Sequence, residues 1–186
     1  MIVYDPWASD EGEWVSPVEP GGHRKIRGLL LENPGVPVGD RWVPPRMFMI
    51  TQDEGISFRR VDMPHYSSDG IMATSRAREV LEPIVGNDAE FLEVTGGREM
   101  MWLVNPWRVV DALDEEKSDL KRFNNSERIM KVTKYVFRPG ALAGVTYFRV
   151  PRLRATTFVT APVVEAVHAA GLTGTVFRRL WSDAAG

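Results

Sequence analysis

Residues 156–181 read TTFVTAPVVEAVHAAGLTGTVFRRLW, and their apolar period changes twice. TTFVT, rich in β-branched and aromatic side chains, reads as a strand. Thr160 is then a candidate cap, and Pro162 falls in the first turn of a helix, where its missing N–H removes no intrahelical bond. Val163, Val164, Val167 and His168 mark one helical face, which predicts a helix over 161–170. His168 is expected at its apolar side or boundary. Gly171 ends the helix and GTVFRRLW returns as a strand.

Upstream, strands outnumber helices and come in runs. MIVY (1–4) reads as a short strand, and the Pro/Gly-rich stretch 5–22 as loop. KIRGLLLEN (25–33) has a compact apolar run and predicts a strand closed by Asn33-Pro34-Gly35. After the loop VPVGDRWVPP (36–45), RMFMI (46–50) reads as a buried strand, and ISFRRVDMP (56–64) alternates roughly. SRAREVLEPIV (75–85) predicts a helix: Ser75 is placed to cap it, and Ala77, Val80, Leu81 and Ile84 share a face. Pro83 should end or kink it. AEFLEVTGG (89–97) and EMMWLVNP (99–106) predict an antiparallel hairpin turning at Gly96-Gly97. RIMKVTKYVFRPG (128–140) predicts a long strand with Ile129, Lys131, Thr133, Tyr135 and Phe137 on one face. GVTYFRVP and ATTFVTAP are two further strands. The expected fold class is α+β: a mixed, largely antiparallel sheet with two main helices, about 75–85 and 161–170. Residues 1–186 are expected to form one domain, with room for two lobes parted near 86–106.

The composition, 44% hydrophobic and 26% charged over 186 residues, is that of a globular chain with a core of its own. No apolar stretch approaches the roughly 18–20 residues that span a bilayer, and MIVYDPWASDEGEW lacks the features of a secretory signal. Cysteine is absent, which removes disulfides and thiol chemistry and suits a reducing cytoplasm. The net charge of −2 conceals an asymmetry. Residues 1–120 carry 22 of the 25 acids and 12 of the 23 bases, while 121–186 carry three acids and 11 bases. Either the two parts pack with complementary faces, or one charged pole is aimed at a partner.

Phosphate-binding loops, a nucleophile elbow and a zincin motif are all missing. His23, His65 and His168 have no metal-ligand neighbours at helical spacing, although His23 and His65 (in MPHYSSDG) could each meet a Ser or Asp in space. The one carboxylate cluster is VVDALDEEKSDLKRF (109–123), with Asp111, Asp114, Glu115, Glu116 and Asp119. Three readings are open: a solvated turn after an apolar element, a partner-facing surface, or a carboxylate- or metal-dependent hydrolase site. The acid order and central glycine of a calcium-binding loop are absent. Trp7, Trp14 and Trp42 lie in stretches that read as loop, where an aromatic either anchors a partner or folds back over the core. Trp102 and Trp181 read as core. The basic stretch 121–154, with its interleaved aromatics, is a candidate nucleic-acid surface, although its alternation favours core packing.

Three segments together, VVDALDEEKSDLKRF, RIMKVTKYVFRPGALAGVTYFRVP and TTFVTAPVVEAVHAAGLTGTVFRRLW, resemble the Imm11 family of bacterial immunity proteins from polymorphic-toxin and type VI secretion loci. The likeness is strong over about 100–181, with DALDEEKS its most telling part, and loose over 1–99. It implies a cytoplasmic protein without enzymatic activity of its own, whose partner is a cognate toxin encoded beside it; no catalytic residue, metal or cofactor is expected, and neither nucleic acid nor membrane as partner. It assigns no contact residue. The acidic positions Asp111, Asp114, Glu115, Glu116 and Asp119, with Trp7, Trp14 and Trp42, are the expected partner-binding residues, because complementary charge speeds encounter and rejects wrong partners.

Overall fold

The computed structural model describes residues 1–66, 70–153 and 155–185. Two sheets carry the fold. The larger has six strands in the order β3 (Met47–Ile50), β2 (Trp14–Pro17), β6 (His65–Tyr66), β7 (Gly70–Thr74), β9 (Met101–Pro106) and β8 (Ala89–Val94). It is mixed: β2 and β6 run parallel, and the other neighbours are antiparallel. The smaller sheet is antiparallel throughout, in the order β12 (Tyr147–Phe148), β13 (Phe158–Thr160), β1 (Ile2–Ala8) and β14 (Thr175–Ser182). Two separate hairpins are β4–β5 (Gln52–Asp53 with Ile56–Ser57) and β10–β11 (Asp119–Arg122 with Ile129–Lys134). With three α-helices, this is the expected α+β class.

Strand alternation explains the core. Successive strand side chains point to opposite faces, so a strand covered on both sides must be apolar throughout. In β7, Ile71 and Ala73 face one cluster and Met72 the other, and all five residues are buried. The first cluster packs α2 (Ser75–Val85), through Ala77, Leu81 and Val85, against α3 (Ala161–Ala169), through Val163, Val164 and Val167. It reaches both sheets, through Val104 of the larger and Tyr147 and Val159 of the smaller. On the opposite face of the larger sheet lies α1 (Gly22–Glu32). On the opposite face of the smaller sheet, Phe148 and Phe158 pack with Phe137, whose ring meets theirs edge-on at 6.1 and 5.5 Å.

Several expectations hold closely. α2 spans 75–85 and α3 ends one residue short of the expected 170. β8 and β9 form the antiparallel hairpin, with Gly96 at φ 86° in the connection. Trp102 is buried, and Trp181 packs partly buried against the Phe137 cluster.

Others are corrected. KIRGLLLEN is part of α1 and not a strand: Ile26, Leu29 and Leu30 face the sheet at i, i+3, i+4, while Arg24, Lys25 and Arg27 face out. The run of leucines masked that period. α1 is also a third main helix where two were expected. The stretch 5–22 is not all loop, since β1 continues to Ala8 and β2 begins at Trp14. Beyond Tyr4, β1 pairs with β14 and no longer with β13, so Pro6 occupies an edge position that tolerates a missing N–H. The cap of α2 is Thr74, one residue before Ser75, and Pro83 is held inside its last turn. Thr160 occupies the cap position of α3, but its hydroxyl donates to the Val145 carbonyl at 2.8 Å. β11 stops at Lys134, and two register shifts in its pairing with β10 break the expected alternation, burying Ile129 and Val132 in place of Lys131 and Thr133. His168 is exposed, its ring edge-on to Phe177 at 6.1 Å.

Candidate partner-binding surface

The acidic segment is a turn. Leu113 bridges to Phe137 and is buried with it, so the chain enters the turn anchored in the aromatic core. Ser118, also buried, closes the far side: its hydroxyl accepts from the Val136 amide at 3.0 Å and donates to the Val136 carbonyl at 3.3 Å. Between these anchors, residues 114–117 must reverse direction over water, and polar side chains suit that task.

The five carboxylates fall into two groups. Asp111, exposed, pairs with Arg138 at 2.9 Å. Asp114 accepts from the Lys117 amide at 3.2 Å and lies 3.3 Å from its ammonium. Removal from water works against its charge, yet the bonds to Lys117 prevail and hold it below the usual carboxylate range. Glu115 is largely covered and bridges two arginines, Arg122 of β10 and Arg152, the latter at 2.7 and 2.8 Å. Glu116 and Asp119 are exposed and have no ion pair among the described residues. Asp111, Asp114 and Glu115 are thus each held against a cation of the chain itself. Among the described residues, no three His, Asp or Glu side chains come together as a metal site.

The three tryptophans sit on different elements. Trp7 lies in β1 and Trp14 in β2, correcting their expected loop positions. Trp7 is half exposed; its indole N–H donates to Asp5 at 2.6 Å, and Arg178 stacks on its ring at 4.8 Å. Trp14 is exposed beside Phe58 and opposite Ile50. Trp42 folds back: its N–H donates to the Glu93 carbonyl at 2.6 Å, and its ring packs against the α1 cluster.

His23 does meet a serine. Its Nε2 lies 3.1 Å from the Ser16 hydroxyl, its ring stacks on Tyr66 at 5.1 Å, and no carboxylate orients it among the described residues. A cavity of about 540 Å³ beside it is lined by Arg24, Arg27, Tyr66 and Arg149. Ser67, Ser68 and Asp69 of the MPHYSSDG stretch, and Arg154 at the end of the basic stretch, lie outside the described residues.

What sequence reasoning missed is how charge is distributed over β10–β11. Leu120, Ile129 and Val132 turn toward the aromatic cluster, so Lys121, Lys131 and Lys134 turn outward. Lys121 and Lys131 stand directly opposite each other across the two strands. Phe123 is exposed at the end of the hairpin, with Arg128 over its ring at 5.4 Å. The signal was present as six bases against two acids over 117–134, but their common face depends on the register shifts.

The chain is thus a small α+β protein of two main sheets whose acidic turn is held by its own arginines. The family model of the Imm11 immunity proteins matches residues 9–181, and the chain belongs to that family. The match extends well beyond 100–181, into the part where the sequence likeness was loose. No curated protein matches the chain. No described helix is long and apolar enough to cross a membrane.

Proposed function

We propose that this chain is an immunity protein that binds a toxin encoded beside it and neutralises it by occupying its surface, without chemistry of its own. The observation that carries this reading is the family match over residues 9–181. The setting it suggests is a polymorphic-toxin or type VI secretion locus, with the protein acting in the cytoplasm of the cell that makes the toxin. The absence of cysteine suits that compartment. Of the contact candidates read from the sequence, Trp7, Trp14, Glu116 and Asp119 retain exposed surface for a partner. Asp114, Glu115 and Trp42 are more covered and already have partners within the chain, as do the exposed Asp111, through Arg138, and Trp7, through Asp5 and Arg178.

The test is growth rescue. The toxic domain from the neighbouring open reading frame is induced in a susceptible host with and without this chain. Growth restored only by co-expression, together with co-purification of the two proteins, is the expected result. A host that dies equally in both cases would sink the proposal.

A further inference from the structure

Seven described basic side chains have neither a carboxylate within ion-pair distance nor a hydrogen bond to the protein, and five of them gather in one region. Lys121, Arg128, Lys131 and Lys134 belong to β10–β11 or its connection, and Arg179 belongs to β14; the other two are Arg24 and Arg46. Lys134 and Arg179 line the same groove beside Trp181. The arginines around this region are matched: Arg178 with Asp5, Arg138 with Asp111, Arg122 and Arg152 with Glu115. The bases around this face are neutralised and those on it are not: Asp119 stands opposite Lys134 without an ion pair, Asp183 in the groove is held by the N-terminal amine, and Glu127 in the connection lies nearest Arg122.

Like charges directly opposed on an antiparallel pair destabilise it. Lys121 facing Lys131 is such a pair, and no carboxylate compensates it. The exposed Met130 adds apolar contact area to the same region, beside Phe123 with Arg128 stacked upon it. The hairpin is backed by the aromatic core and carries uncompensated lysines around apolar anchors, a combination that suits an oppositely charged protein face. Charge here would speed encounter, and the anchors would slow release.

We infer that the outward face of β10–β11, with Arg179, is the docking surface for the neutralised toxin, and that the toxin surface it covers is acidic. This rests on the proposed function, and it makes the basic hairpin, and not the acidic turn, the principal contact.

The measurement is association of the intact chain with the purified toxic domain from the neighbouring reading frame, between about 50 and 500 mM salt. Wild-type association should slow steeply with salt, by about tenfold or more over that range. Lys131→Glu, which sets Glu opposite Lys121, should melt no lower than wild type while binding about 10–100-fold more weakly with a flatter salt dependence. Lys121→Glu should do the same by the reciprocal exchange, which keeps the test valid if one variant folds poorly. Glu79→Lys, an exposed acid on α2 outside every contact candidate, should bind as wild type does. Unchanged binding and salt dependence in both lysine variants, with wild type binding normally, would overturn the inference and leave the proposed function standing. Wild type that does not bind at all would overturn both. A salt-sensitive complex with a 30-base single strand or duplex, lost in Lys131→Glu while toxin binding persists, would assign the face to nucleic acid and overturn the inference as well.

Discussion

Asp62 shows what one side chain can hold together. Its carboxylate accepts from Arg76 of α2 at 2.9 Å and from the amide and hydroxyl of Thr173 at 3.0 Å each. It therefore joins the strand-entry loop before β6, the first turn of α2 and the GLTG turn after α3. Partial burial pushes its carboxyl up, but the bonds from Arg76 and Thr173 outweigh that and hold it below the usual carboxylate range. A depressed folded-state value means the stabilisation is fully present above the unfolded value of about 3.9 and is lost as pH falls through the folded one. Asp62→Asn should therefore cost about 1–2 kcal/mol at pH 7. The variant should also lose less stability than wild type between pH 4 and pH 2, as read by urea unfolding across that window. The linkage was not legible in the sequence, because residues 62 and 173 meet only after the chain has folded.

At the scale of one element, the acidic turn separates two kinds of carboxylate. Glu115 is covered and pinned by arginines from β10 and from the segment after β12, so its removal leaves two guanidinium groups without their common acceptor. Glu115→Gln should destabilise the fold by about 1–3 kcal/mol. Glu116→Gln, exposed and without an ion pair, should stay within about 0.5 kcal/mol of wild type. The pair is read from urea midpoints at pH 7. Equal effects would mean that Glu115 is not the keystone of the turn. Sequence reading held a solvated turn after an apolar element as one of three open readings of this segment. It could not rank the five acids, which differ by distant partners and not by their neighbours in the chain.

Across the whole molecule, the charge asymmetry between 1–120 and 121–186 is partly resolved by packing. Asp5–Arg178, Asp111–Arg138 and the two arginines on Glu115 all cross that divide. The residue left over is the basic face of β10–β11. The first and last strands lie side by side, and one apolar cluster runs from the larger sheet through α2 and α3 to the smaller. Residues 1–186 should therefore unfold as one domain, in a single transition with coincident near- and far-ultraviolet circular dichroism curves. Two separated transitions would instead support two lobes.

The sequence by itself determined what local periodicity encodes. α2 and α3, the β8–β9 hairpin and the strand at Phe158 all carry apolar spacings that one window can contain, and the family likeness followed from such windows. Where two periods compete within a few residues, as in KIRGLLLEN, only the sheet waiting beneath Ile26, Leu29 and Leu30 decided for the helix. β2, and β1 beyond Tyr4, likewise gained their strands from partners far along the chain. Tertiary structure alone also sorted the charges, because an ion pair depends on which side chains meet in space. That sorting left the acids of the turn mostly occupied and the lysines of β10–β11 unmatched.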